Sequence, residues 1–139
     1  IGLFRKAIES GRNDEPEKAL DFFKQSLIFR KNVFGEKNFR LGSTYMGMAI
    51  QFKNLHQMEN AYRYYRIAEE MYLFNAPVND SRLGNIYSNI GNYFLIKGNL
   101  AEAIRYQERA LYIYDHAPMK FRLKIIYQLY IIWQIPIIW

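Results

Sequence analysis

The chain has no cysteine among its 139 residues, which excludes disulfides, cysteine-ligated zinc, iron–sulfur clusters and thiol nucleophiles. It has only two histidines. His56 and His116 fall in turn or linker sequence, and neither has a second His, Asp or Glu at ligand spacing on one helix face. Solvated or capping roles are the simpler reading of both. A glycine-rich phosphate cradle and a nucleophile elbow are missing, and the neighbouring carboxylates Glu69 and Glu70 point in different directions around a helix, which does not make a glycosidase dyad. The expectation is a non-enzymatic protein with no catalytic residues, no metal site and no cofactor. A membrane span is lacking as well. Ile125 to Trp139 is almost continuously apolar, but 15 residues interrupted by Gln128, Gln134 and Pro136 fall short of the roughly 20 that cross a bilayer. Ile1 to Gly11, with Arg5, Lys6 and Glu9, does not have the layout of a signal peptide.

What is present is apolar and aromatic. Half of the residues are hydrophobic and 17% are aromatic, with 12 Tyr and 10 Phe, far too much apolar surface for a disordered polar tail. The length suits one domain. Nineteen Lys and Arg against 13 Asp and Glu leave a charge of +6, a modest tilt towards acidic partners. The basic residues are scattered over several segments, so no stripe announces nucleic acid. Cytoplasm is the expected location.

The apolar residues repeat. Ala19, Ala61 and Ala103 are spaced by 42 residues, and the same step relates Leu41 to Leu83, Tyr45 to Tyr87, Met48 to Ile90, Ala49 to Gly91 and Phe52 to Phe94. Ser26, Ala68 and Ala110 share another position, while Phe23 and Tyr65 share one that loses its aromatic at Gln107. Each period splits into two helices. From Arg82 to Lys97 the residues Leu83, Tyr87, Ile90, Gly91 and Phe94 fall on one side of a helix. Gly98 ends it in the left-handed conformation, and Asn99 with Glu102 reads as an N-cap and capping box. The second helix buries Leu100, Ala103, Ile104, Ala110 and Leu111. Phe39 to Asn54 with Gln57 to Phe74 reads likewise. Ile1 to Ser10 forms a first-type helix, and Asp14, as cap, with Pro16 in the first turn, starts a second-type helix to about Val33. Lys120 to Gln134 is a further first-type helix with no second helix after it, its bare apolar side calling for an absent or swapped partner. Stacked pairs of this kind share one core.

Ile90-Gly91-x-x-Phe94-x-x-x-Gly98-x-Leu100-x-x-Ala103-Ile104, continued by Ala110-Leu111, resembles the tetratricopeptide pattern. The step of 42 in place of the usual 34 is similar to the kinesin-light-chain-like branch, whose inter-repeat linker Phe34-Gly35-Glu36-Lys37-Asn38 also resembles. The resemblance implies an all-α solenoid of about seven antiparallel helices in a right-handed superhelix, with the last pair incomplete. It also implies a single domain over 1–139, with repeats at about 1–34, 39–75 and 81–116 and a partial unit at 119–139.

One polar stripe stands out. Asn85, Asn89, Asn92 and Ile96 share the side of their helix opposite Leu83, Tyr87, Ile90 and Phe94. An amide both donates and accepts, so a row of Asn can hold the main chain of an extended peptide. The resemblance places this side in a concave groove and implies such use, with Asn89 matching the groove asparagine of kinesin light chains most closely. Equivalent positions are Ser43, Gly47 and Ile50, Arg5, and Tyr127, Ile131 and Gln134, so the row is not continuous. A solvated helix face is the other reading, and the residues leave both open. Tyr62 and Tyr65 of Tyr62-Arg63-Tyr64-Tyr65-Arg66 read as core with Arg63 and Arg66 outside, in preference to a base-stacking surface. Tyr106, Tyr112 and Tyr114 read as seals between helices.

The expected function is a protein-interaction scaffold or adaptor of cytoskeletal, cargo-adaptor or ciliary type. It would bind a partner's peptide or helix through Arg5, Ser43, Asn85, Asn89 and Asn92, with self-association through the apolar final helix as a further expectation. A bacterial peptide-pheromone receptor is the alternative, and an RNA-binding helical repeat a third option that predicts steeply salt-sensitive retention on single strands.

Overall fold

Each helix pair turns through one residue that must adopt the left-handed backbone conformation. In a computed structural model that describes residues 2–74, 81–116 and 119–135, the residues that do so are Asp14 (φ 58°), His56 (φ 59°) and Gly98 (φ 81°), which stand 42 apart in the sequence. The bonds across the turn repeat with them. Glu15, Gln57 and Asn99 donate their backbone N–H groups to the carbonyls of Ser10, Phe52 and Phe94, each at 2.9 Å, satisfying acceptors that a helix end leaves open. Gly98 behaves as the sequence predicts. Asp14 and His56 carry a Cβ into the same conformation at a cost of about 1–2 kcal/mol each.

Seven α-helices follow one another among the described residues, and no strand. They are α1 (Gly2–Arg12), α2 (Pro16–Phe34), α3 (Gly42–Asn54), α4 (Met58–Leu73), α5 (Ser81–Ile96), α6 (Leu100–Ile113) and α7 (Met119–Gln134). Short 3-10 turns lie at Phe39–Leu41 and Tyr114–His116. Three local expectations need correction. Asp14 does not cap α2: with its backbone left-handed, the cap position passes to Glu15, whose side chain caps nothing. Helix α3 starts three residues later than Phe39, because Asn38 accepts the Arg40 N–H on its side chain and the Leu41 N–H on its carbonyl, both at 2.9 Å, and so winds a tighter first turn. Asn99 caps α6 through the Glu102 N–H at 3.2 Å, but the Glu102 carboxylate turns to Arg105 at 2.8 Å and closes no capping box. The linker proline Pro118 and the end of the apolar run from Pro136 lie outside the described residues.

The helices form two compact units, Ile1–Ala76 and Pro77–Trp139. In the first, α1 pairs with α2 and α3 with α4, and α2 packs on α3. In the second, α5 pairs with α6, and α7 packs on α6. Ala19, Ala61 and Ala103 are buried, which lets the paired backbones approach closely. Near the start of the α3–α4 and α5–α6 pairs a glycine receives a ring. A Cβ on Gly42 would lie 2.6 Å from Tyr72 Cζ, and one on Gly84 would lie 2.8 Å from Tyr114 Cζ, two contacts again related by 42 residues. Phe52 stacks on Tyr64 with ring centroids 5.1 Å apart, and Phe94 on Tyr106 at 5.6 Å. On α4 Tyr65 is buried while Tyr62 and Tyr64 are both half-buried, so Tyr64 joins the aromatic packing through its stacking on Phe52. Arg63 and Arg66 are exposed as expected. Tyr112 also departs from expectation: it is exposed, while Tyr106 and Tyr114 are buried.

Replacing His56 by Gly relieves about 1–2 kcal/mol of backbone strain and returns about 0.4–1 kcal/mol as unfolded-chain entropy. Urea denaturation followed by circular dichroism should show His56→Gly more stable by about 0.5–1 kcal/mol, and Gly98→Ala less stable by about 1 kcal/mol.

Candidate functional site

Helix α5 is enclosed on nearly every side. Leu83, Gly84, Ile86, Tyr87, Ser88, Ile90, Gly91 and Tyr93 are all buried, and the closest approach to α6 runs along Gly84, Ser88 and Gly91. A Cβ on Gly91 would lie 2.7 Å from Gln107 Nε2, and Gln107 Nε2 donates to the Ser88 carbonyl at 3.1 Å. The remaining sector holds exposed Arg82, then Asn85, Asn89 and Asn92, each half-buried, and exposed Ile96.

The three amides are oriented by bonds within their own unit. Asn85 Oδ1 accepts from the Tyr114 hydroxyl. Asn92 Oδ1 accepts from Gln107 Nε2 at 3.1 Å. Asn89 is turned the other way, its Nδ2 donating to the Asn85 carbonyl at 2.9 Å, and among the described residues its Oδ1 accepts nothing. With two oxygens tied inward and one left open, the sector presents donors at Asn85 and Asn92 and an acceptor at Asn89 between them. On a helix rising 1.5 Å per residue, Asn85 and Asn92 are about 10 Å apart along the axis, close to three residues of extended chain.

The anchors beneath them are buried. Burial raises the Tyr114 hydroxyl to about 12, so it remains a neutral donor to Asn85 well above physiological pH. Gln107 is fully buried, and its Oε1 has no hydrogen-bond partner among the described residues. It stands where Phe23 and Tyr65 stand in the earlier pairs, and Asn92 stands where Ile8 and Ile50 stand. Both members of the pair have changed from apolar to amide together. Arg109 covers the neighbouring flank, its guanidinium 4.2 Å from the Tyr87 ring centre and Nη2 donating to the Tyr87 hydroxyl at 3.0 Å.

In the first unit the expected contacts are differently placed. Arg5 is exposed on α1. Ser43 is half-buried and accepts from Arg30 Nη1 at 3.3 Å. Arg30 also reaches the Arg40 carbonyl at 2.9 Å and Thr44 Oγ1 at 3.3 Å, and its guanidinium lies 4.5 Å from the Phe4 ring centre. Gly47, the counterpart of Asn89, is closed off: a Cβ there would lie 2.4 Å from Phe23 Cζ. Arg30 is not singled out in the sequence, and neither Gln107, noted there as the loss of an aromatic, nor Tyr114, noted as a seal between helices, is assigned to the site. The step of 42 places Arg30, Tyr72 and Tyr114 at one position, which was the available signal for two of them, and the joint change at Asn92 and Gln107 was the signal for the third.

Glu69 pairs with Arg66 at 3.4 Å and Glu70 with Lys37 at 2.8 Å, His56 sits exposed in its turn, and no group of three His, Asp or Glu among the described residues could hold a metal ion.

Residues 83–115, which span α5, its turn and α6, match the tetratricopeptide repeat family. The fold of the whole chain is that of solved tetratricopeptide solenoids. BtubC (BKLC) from P. vanneervenii is similar at a TM-score of 0.79 and 17% identity, over 91% of this chain and 51% of that one. The nearly identical tetratricopeptide-like repeats of a Podosopora anserina protein assigned as a kinesin light chain give 0.77 at 12% identity, over 96% and 64%. The TPR2AB domain of yeast Sti1, solved as a complex with pHSP90, gives 0.68 at 14% identity, over 92% and 46%. This chain thus spans about half the length of BtubC. Among curated proteins the sequence matches none. No helix among the described residues is long and apolar enough to cross a membrane.

Because the folded Tyr114 holds its proton more tightly than the unfolded one, ionisation favours unfolding as pH rises from about 10 to about 12, and has no effect below that window. Thermal melts should fall in Tm across this range, and Tyr114→Phe should show a smaller fall together with a lower Tm at pH 7, from the unpaired Asn85 oxygen.

Proposed function

We propose that this tetratricopeptide chain is a non-catalytic interaction module that holds an extended segment of another protein. In the second unit the contacts are Asn85, Asn89 and Asn92. In the first they are Arg5 and Ser43. The observation that carries the reading is the donor, acceptor, donor order of the three amides over about 10 Å, which meets the carbonyl, N–H, carbonyl order of an extended main chain. Such contacts ignore side-chain identity, so specificity comes from the charges around them. The chain carries +6 and favours an acidic segment.

A helix face meant only for water is better filled by Lys, Glu or Gln, since Asn is a poor helix former. Three Asn on one sector cost helix stability, and the bonds from Tyr114 and Gln107 hold two of them in a single orientation at further expense of a buried polar side chain. That combination is preorganisation for a ligand. The likeness to yeast Sti1 TPR2AB, solved in complex with pHSP90, and to kinesin light chain repeats supports a peptide-binding adaptor, which we place in the cytoplasm on a cytoskeletal, cargo-carrying or ciliary assembly.

Recovery of partner proteins on the immobilised chain tests this. Each of Asn89→Ala and Asn92→Ala should weaken capture about tenfold, the equivalent of one charge-assisted or well-placed hydrogen bond, with circular dichroism unchanged. Arg5→Ala and Ser43→Ala should weaken it less. Full recovery by the Asn89→Ala, Asn92→Ala double variant would remove the amide sector from the binding site.

A further inference from the structure

Helix α7 has two apolar sides and packs with one of them. Ile125, Leu129 and Ile132 are buried, and α7 lies on α6. On the other side Leu123, Ile126, Tyr130 and Trp133 are 55%, 45%, 56% and 71% exposed, and they follow one another at steps of three, four and three residues. That spacing draws one stripe along the helix, the seam by which two helices pack side by side at a shallow angle.

The internal repeat shows what this face is not built for. Forty-two residues earlier, Ile126, Tyr130 and Trp133 correspond to Gly84, Ser88 and Gly91. Those three face α6 so closely that a Cβ on Gly84 or Gly91 would meet Tyr114 or Gln107 at 2.8 or 2.7 Å. Tyr130 stands where Phe4 and Met46 stand beside α2 and α4, but Ile126 and Trp133 stand where the earlier pairs have only Gly or Ala, and at those two positions there is no room for a second-type helix at that approach. The face is not a solvating cap either, because a cap presents polar residues. The expected absent or swapped partner for this side then meets it through an interface of different geometry.

We infer that the occupant is α7 of a second copy of this chain, running antiparallel. The order along the stripe is aliphatic, aliphatic, aromatic, aromatic, and it complements itself only when reversed. Leu123 of one copy then meets Trp133 of the other, and Ile126 meets Tyr130, so every layer joins a smaller side chain to a larger one about a two-fold axis. In a parallel pair Trp would oppose Trp. Arg122, which flanks Trp133 on the helix, would also lie beside its own copy, and α7 has no acidic residue to offset it. The antiparallel arrangement sends these charges to opposite ends, next to the partner's helix C-terminus, where the dipole favours them. With Tyr127, which is also exposed, the stripe offers on the order of 600 Å² per copy, so a pair covers about 1,200 Å², the lower limit of a stable interface. A dissociation constant in the micromolar range follows.

Light scattering or sedimentation of the intact chain, from about 1 to about 100 µM, reads the result. The mass should rise from 16.7 kDa to twice that value with concentration. The Tyr130→Glu, Trp133→Glu double variant should stay at the monomer mass throughout, with unchanged helicity because both side chains are exposed. Since the chain has no cysteine, Leu123→Cys and Gln134→Cys are clean single-thiol variants. Oxidation of their mixture should give a disulfide-linked dimer, and oxidation of either alone should give little. A monomer at every concentration, a dimer that survives the double variant, or efficient linkage of Leu123→Cys to itself would each overturn the proposal.

Discussion

The structure depends on how closely two antiparallel helices of a pair can approach. Where Gly42, Gly84 and Gly91 stand, the ring of Tyr72, the ring of Tyr114 and the amide of Gln107 occupy the space a Cβ would need. Dispersion between close surfaces falls off within an ångström, so these glycines, with Ala19, Ala61 and Ala103 at the opposite helices, set the depth to which every other side chain packs. The left-handed turn at Asp14, His56 and Gly98 belongs to the same constraint. It reverses the chain in three residues and brings the second helix back at this spacing.

The candidate site follows from that enclosure. Because α5 is buried all round except for one sector, whatever the chain offers to a ligand on this helix must be carried by Arg82, Asn85, Asn89, Asn92 and Ile96. Two of the amides are held by residues from α6 and the turn after it, Gln107 and Tyr114, so the hairpin that builds the core also aims the polar groups. The joint replacement of an Ile and an aromatic by Asn92 and Gln107 is the departure from internal symmetry that ties core and site together.

Helix α7 shows the opposite use of the same period. It keeps the large buried positions, Ile125, Leu129 and Ile132, and abandons the small ones. Retaining the first keeps it docked on α6, and abandoning the second alters what can lie on its outer side. A single helix thus departs from the internal packing pattern while presenting a seam suited to another helix.

The period of 42, the seven helices, the left-handed Gly98 and the Asn99 cap were legible in the residues alone, because helix periodicity, glycine and capping chemistry act over a few neighbours. The three amides were legible as a stripe for the same reason. The left-handed turns at Asp14 and His56 were hidden, since those residues carry no local demand for that conformation and accept it only because the paired helices on either side require the turn. The stacking of Tyr64 on Phe52 was not visible in composition, and the roles of Arg30, Gln107 and Tyr114 arise from partners 13 to 29 residues away. Local chemistry determined which segments are helical and which side of each is apolar; only tertiary contact decided which polar atoms are tied inward and which remain open, because that choice depends on what the neighbouring helix places within hydrogen-bond reach.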